Sequence, residues 1–309
     1  MLLSSSIFRR GWNKVMRRLI KLQVCHNIQP SRIELNRKSL LFSLFDATGL
    51  GLEIGPSFNP LVPKSDGYNV EILDHLPAAD LRKKYAGADV DLSKIEEVDY
   101  VSNGGSILGL IRKPKHYDYI VASHVIEHTT DFLGFVSDCE QLLNDRGVLV
   151  LAVPDKRFAF DCLRPYSTTG QILQAHMDKR QRHPPGKVFD EVAYNCMRDG
   201  AIAWGAKDSG SLSFFRPLQD AKAIFEALEK HDTFHDIHAW QFTPSSFRLI
   251  MSDLAEINVI GLREKSFQDT VGHEFFITLS KTSMGCPVDR LLLAERMVSE
   301  QNKIVVRST

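Results

Sequence analysis

The chain has 309 residues, 43% of them hydrophobic, enough to build one large domain or two small ones around a real core. Lys+Arg and Asp+Glu both number 38, so the net charge is zero; this excludes a whole-surface electrostatic grip on nucleic acid, and no nucleic-acid partner is expected. Five scattered cysteines (Cys25, Cys139, Cys162, Cys196, Cys286) with no CxxC pair argue against a disulfide framework and read as reduced thiols of a cytoplasmic protein.

The first segment, residues 1–46, reads as a basic helical extension. Over residues 7–24, Arg9, Arg10, Lys14, Arg17, Arg18 and Lys21 alternate with Phe8, Trp12, Val15, Met16, Leu19 and Ile20. Such a segment lies as a helix on a membrane surface, giving a peripheral membrane contact, packs as a solvated helix on the domain, or is a disordered leader. No apolar run approaches the roughly 20 residues that span a bilayer.

From about residue 48 the elements alternate. "GLGLEIG" (49–55), "YNVEILD" (68–74), "EEVDYVS" (96–102), "YDYIVAS" (117–123) and "GVLVLAV" (147–153) are predicted strands. Short apolar runs of this kind suit parallel strands covered on both faces. Between the last two, "TDFLGFVSDCEQLLNDRG" (130–147) has helical apolar spacing, with Thr130 or Asp131 as cap and Gly147 beyond the end. Residues 154–240 carry few strand signals and read as a helical insertion on the acceptor side. Its predicted helices are 167–180 and 216–231, with a loop over "RHPPGKVFDE" (182–191). Thr243 and Pro244 then cap a helix ending near Ala255. "EINVIGLRE" (256–264) and "GHEFFITLSK" (272–281) are predicted as an antiparallel hairpin, because so short a link cannot make a parallel crossover. Residues 283–309 read as a terminal helix or tail. The predicted fold is α/β: a doubly wound, mostly parallel seven-stranded sheet over 47–282, with the terminal hairpin and the helical insertion.

Gly55 follows the first strand, where a glycine lets the backbone turn sharply against a ligand. Ser57 and Asn59 stand where a dinucleotide fingerprint would have further glycines. Pro56, Pro60 and Pro63 leave no room for a full crossover helix, so one short turn capped by Asn59 is expected. A pyrophosphate therefore lacks its helix N-terminus. Asp74 closes the second strand, where a carboxylate can accept from both hydroxyls of a ribose. Glu53, inside the first strand, either bonds to loop amides or accepts from a cationic ligand. S-adenosylmethionine, with a ribose and a sulfonium but no phosphate, meets these conditions.

"LEIGP" (52–56), "ASHVIEH" (122–128) and "LLNDRGVLVLAVPD" (142–155) resemble three segments of class I S-adenosylmethionine-dependent methyltransferases. The similarity covers about 48–155 and 240–281. "GLEIGPSFNP", "PDKRFAFDCLRP" and "WQFTPSSF" further resemble a bacterial branch found among polysaccharide-synthesis enzymes. The resemblance implies that Glu53, Gly55 and Pro56 line the methionine part of the cofactor. It gives Asp74 the ribose, sets His75 and Leu76 beside the adenine, and puts Asn103 and Gly104 near its amine. Ser123 and His124 would lie beneath the sulfonium.

For a hydroxyl acceptor a general base helps, and histidine suits neutral pH. His124 and His128 are the candidates, with Glu127 as an orienting group or helix cap and Asp155 as the rival base. Lys156, Arg157 and Arg164 could hold an anionic acceptor group or be salt-bridged. Tyr166, Trp204 and Trp240 could stack on sugar rings or form the insertion's core. His231, His235 and His238 have helical ligand spacing without an accompanying Cys or HExxH, and no metal site is expected. The expected activity is O-methylation of a sugar, glycan or lipid-linked sugar. The alternatives are a small-molecule or N-methyltransferase of the same fold, and a non-catalytic cofactor-binding partner protein. Against a NAD-linked oxidoreductase stand the missing GxGxxG and the hairpin.

Overall fold

The computed structural model describes residues 32–230 and 234–303. The basic helix expected over 7–24 and His231 lie outside them. Five parallel strands build the centre: β1 (Gly51–Ile54), β2 (Val70–Asp74), β3 (Tyr100–Val101), β4 (Tyr117–Ser123) and β5 (Leu143–Pro154). A short two-stranded ribbon, β6 (Cys196–Arg198) with β7 (Leu212–Phe214), stands apart in the insertion. The hairpin β8 (Arg263–Val271) and β9 (Glu274–Ser280) completes a seven-stranded sheet in the order β3-β2-β1-β4-β5-β9-β8, with β9 antiparallel to β5. The order reverses between β1 and β4, so the crevice outside their carboxyl ends is the switch point where ligands bind in open α/β sheets.

Alternation along the central strands explains the layers. Ile120, Ala122, Leu149, Leu151 and Val153 face one apolar cluster, and Tyr119, Val121, Val148, Val150 and Ala152 face the other. The first face is covered by the helices Phe132–Leu142 and Pro244–Glu256, which bury Phe132, Val136, Phe247 and Leu254. The second is covered by Leu41, Phe45, Leu61 and Val62. Two covered faces are why these strands read as continuous apolar runs.

Helix starts follow their caps. Asp131 accepts from Gly134 N–H at 2.8 Å. Thr243 and Ser246 form a capping box with Pro244 next. Gly147 lies beyond the preceding helix, which stops at Leu142, and inside β5, where the Leu143 side chain and Tyr117 carbonyl leave no room for a Cβ. Three expectations are corrected. Residues 182–191 are not a loop, because Pro184 and Pro185 open the helix Pro185–Tyr194, which buries Val188, Val192 and Ala193. The first hairpin strand begins at Arg263, not at residue 256. Asn258 turns the chain with φ +61°, and Gly261 N–H donates to the Glu140 carboxylate at 3.0 Å, so this stretch pairs with a helix side chain. Between β1 and β2 there is no crossover helix, only a 3-10 turn over Lys64–Asp66 behind Pro63; Asn59 caps nothing and donates its N–H to Pro56 O at 2.9 Å.

Candidate active site

At the β1–β2 end the backbone is drawn into a tight bend. Gly55 has φ +67° and Ser57 φ +51°. A Cβ on Gly55 would sit 3.0 Å from Val125 Cγ2, so the loop is pressed against the turn that follows β4. Glu53 is buried, and its oxygens accept from Leu61 N–H at 2.7 Å and Val62 N–H at 3.2 Å. Its carboxylate therefore anchors the loop. Burial raises its pKa to about 7 despite those two amides, and the charge of Glu96 adds to the rise.

Asp74 is buried at the end of β2. Its Oδ2 accepts from Ser57 N–H at 2.8 Å, and its Oδ1 accepts from His75 N–H at 2.7 Å and meets His75 Nδ1 at 2.6 Å. A carboxylate has about four acceptor sites, so Oδ2 keeps a free lone pair. His75 Nε2 lies 2.7 Å from Lys84 Nζ, and Leu76 packs beside Leu81 and Tyr85. Ser102 N–H donates to Asp74 O at 2.8 Å. That bond brings the exposed turn Asn103–Gly104 to the same end, with Asn103 Oδ1 accepting from Gly105 N–H at 3.0 Å. A cleft of about 190 Å³ beside the loop is lined by Pro56, Ser57, Pro60, Asp74, Leu81 and Glu96. That space opens to solvent, so the cleft is a shallow furrow beside the loop and not an enclosed pocket. A positive-φ glycine, a carboxylate with a free lone pair and no helix N-terminus fit a nucleoside cofactor without phosphate.

At the β4–β5 end, His124 has φ +53°, a left-handed conformation rare outside glycine and frequent at functional sites. Its N–H donates to Ala152 O at 3.0 Å, and its Nε2 lies 2.9 Å from Glu274 Oε2. Arg37 clamps the same glutamate through Nε and Nη2, and its Nη2 also donates to Ser123 Oγ at 2.9 Å. Burial would raise the Glu274 carboxyl, but Arg37 and His124 hold it well below the usual range. Burial would lower the His124 pKa; Glu274 and Glu127 outweigh it and raise the pKa above the ordinary value. His128 Nδ1 lies 2.8 Å from Asp236 Oδ1, and against burial Asp236 and Glu127 push its pKa up to about 9. Glu127, between the two histidines in sequence, is fully buried, and neither oxygen has a hydrogen-bond partner among the described residues.

Asp155 is tied up within the fold. It is fully buried, and its oxygens accept from Arg157 N–H, the Arg157 guanidinium and Thr270 Oγ1. The basic residues beside it also turn inward. Lys156 Nζ donates to Cys162 O at 2.7 Å, and Arg164 Nη1 donates to Glu191 Oε2 at 2.5 Å and His238 O at 2.7 Å. An anionic acceptor would find no free cation among these three. Trp204 and Trp240 are buried, Trp240 donating to Thr129 O at 2.7 Å, and so belong to the core.

The insertion returns across this end. Ala239 N–H donates to Glu127 O at 2.8 Å, and Lys156 N–H donates to Phe242 O at 2.8 Å. Arg37 and Asp236 gave no sequence sign of belonging to this end, and His238 was grouped with His231 and His235. Glu274 had one signal, a charge opening the apolar strand "EFFITLS".

The profile of a family described as "Methyltransferase domain" matches residues 40–210. No curated protein matches the chain. Among solved structures the chain is similar to a SAM-dependent methyltransferase from Aquifex aeolicus, with 13% identity over 85% of this chain and 97% of that one and a TM-score of 0.42. It is also similar to a SAM-dependent methyltransferase from Thermotoga maritima, with 12% identity over 90% of this chain and 99% of that one and a TM-score of 0.41.

Proposed function

The chain belongs to the methyltransferase-domain family, with S-adenosylmethionine as its cofactor, and from that premise we propose that it methylates a hydroxyl of a sugar, glycan or lipid-linked sugar. The observation that carries a hydroxyl acceptor is His124, held at positive φ on the strand end nearest the switch point and tied to the Glu274–Arg37 pair. The bound cofactor supplies an electrophilic methyl group on a sulfonium. Asp74 accepts from the ribose hydroxyls through its free lone pair. Gly55 and Pro56 let the loop lie close to the methionine part, and Glu53 holds that loop from behind. His75, Leu76, Asn103 and Gly104 border the adenine, and Ser123 lies under the sulfonium.

His124 takes the acceptor proton as the oxygen attacks. It is preferred to His128 because it is fixed to the sheet itself, by Ala152 and Glu274, whereas His128 hangs from Asp236 of the insertion. The segment 154–240 forms the acceptor-side cover. The sugar class rests on the resemblance of "GLEIGPSFNP", "PDKRFAFDCLRP" and "WQFTPSSF" to enzymes of polysaccharide synthesis.

The test is transfer from methyl-labelled S-adenosylmethionine to a panel of sugar nucleotides, lipid-linked sugars and oligosaccharides, with product linkage read by mass spectrometry. A methyl ether on a sugar hydroxyl is expected. Label found only on amines would move the reading to N-methylation, and no label with intact cofactor binding would favour the non-catalytic alternative.

A further inference from the structure

Glu127 poses a physical problem. Its carboxylate is fully buried, and among the described residues neither oxygen meets a donor. A buried, unpartnered carboxylate costs several kcal/mol. What surrounds it is imidazole: His128 Nε2 and His238 Nε2 each lie 3.9 Å from Glu127 Oε1, and His124 Nδ1 lies 3.6 Å from it. These gaps are too long for hydrogen bonds. They are near the spacing of atoms that share a cation, since ligands about 2.1 Å from a tetrahedral ion stand about 3.4 Å apart.

The outer nitrogens agree. His128 Nδ1 lies 2.8 Å from Asp236 Oδ1, and His238 Nδ1 lies 3.2 Å from Asp161 Oδ2. A carboxylate on one ring nitrogen fixes the N–H there and leaves the other nitrogen's lone pair facing inward, as in metal-bound histidines. The ligand atoms of Glu127, His128 and His238 all lie within 4.8 Å of one another. The sheet, the turn after β4 and the returning insertion bring them together from distant parts of the chain.

We propose that Glu127, His128 and His238 bind one divalent first-row transition-metal ion. Two imidazoles select against Mg²⁺ and Ca²⁺, which favour all-oxygen shells, and suit Zn²⁺, Co²⁺ or Fe²⁺. Three protein ligands leave a coordination position open, on the side flanked by His124. The role of that position, though not the binding itself, rests on the hydroxyl-acceptor reading. There the open position takes the acceptor oxygen. Its O–H proton passes to His124, the oxygen bonds the methyl carbon, and the carbon–sulfur bond breaks with its electron pair going to sulfur.

The experiment uses the full chain, stripped with a chelator and titrated with Co²⁺. Visible d–d absorption reports coordination, Zn²⁺ competition reports affinity, and calorimetry with S-adenosylmethionine is run in parallel. Expected are saturation at one ion per chain, loss of at least 100-fold in affinity in Glu127→Gln and His238→Asn, and 10–100-fold in Asp236→Asn. Cofactor binding should persist in all three, which separates this site from the cofactor reading and reports that the variants fold. If Glu127→Gln does not fold, His238→Asn carries the test. Absence of binding by the wild type, or wild-type binding by both ligand variants, overturns the site. Metal binding with chelator-insensitive transfer to a hydroxyl acceptor keeps the site and removes its catalytic role.

Discussion

Two buried glutamates lie at the switch point and are satisfied in opposite ways. Glu53, before the loop after β1, is closed by two backbone amides at 2.7 and 3.2 Å. Glu127, in the turn after β4, has no hydrogen-bond donor among the described residues and three imidazoles around it. The first carboxylate shapes a loop and is complete within the chain. The second finds no hydrogen-bond donor among the described residues, and the metal site proposed at the β4 end rests on that. Burial of a charged residue does not by itself identify a site; the nature of its partners does.

The sharpest way to break this contrast is turnover. His124→Ala should lower kcat by about 10²–10⁴-fold with little change in cofactor affinity, because general-base catalysis is worth that much. Asp155→Asn should instead lower stability and leave the remaining folded enzyme active, since its carboxylate serves Arg157 and Thr270. The reverse outcome, an active His124→Ala and a folded but inactive Asp155→Asn, would move the chemistry to the β5 end.

The next effect tests the structural half. Glu53 has an ordinary pKa of 4.5, which the fold raises to about 7. A carboxyl with a raised folded-state pKa favours folding fully below the unfolded value, and that contribution is lost as pH rises through the folded value. Denaturant unfolding of wild type and Glu53→Gln between about pH 4.5 and 8 should show the wild type losing about 3 kcal/mol relative to the variant across that window. A difference that stays flat with pH would mean the carboxylate remains ionised and the loop amides fully offset its burial.

A smaller effect is expected at the ribose. Asp74→Asn should weaken S-adenosylmethionine by about 1.5–3 kcal/mol, the worth of hydrogen bonds to a charged acceptor, measured by calorimetry. Unchanged affinity would remove Asp74 from the cofactor site and leave it as the loop's partner through Ser57 and His75.

The same contrast governs what could be seen in the sequence. β1, β4 and the starts at Asp131 and Thr243 were legible because burial on both faces and capping chemistry are local signals. β8 was not, because "REKSFQDTV" is a polar, half-exposed edge strand without an apolar run. The loop half of the site, Gly55 and Asp74, sits within one β-loop-β unit. The other half is assembled from afar: His124 meets Glu274 across 150 positions, and Arg37 reaches it across 237. His124 and His128 could be named from the strand end, but Glu127 read only as an orienting group. Its burial and the arrival of His238 depend on the insertion's return path.

The smallest predicted effect joins the two halves. Gly55 has φ +67°, which an L side chain adopts at a cost of about 1–2 kcal/mol. The added methyl of Gly55→Ala would also press on Val125 Cγ2 at 3.0 Å, so Val125 must give by a few tenths of an ångström. Val125 directly precedes the Ile126–His128 turn. Strain on the cofactor loop should therefore weaken both S-adenosylmethionine and Co²⁺ binding in this variant. Adding Val125→Ala separates the two causes: it removes the methyl contact but leaves the backbone cost. The double variant should regain Co²⁺ affinity while its cofactor affinity stays low. Recovery of both would make contact, not backbone conformation, the reason for glycine at position 55. Recovery of neither would mean the loop and the turn are coupled through the backbone and not through Val125.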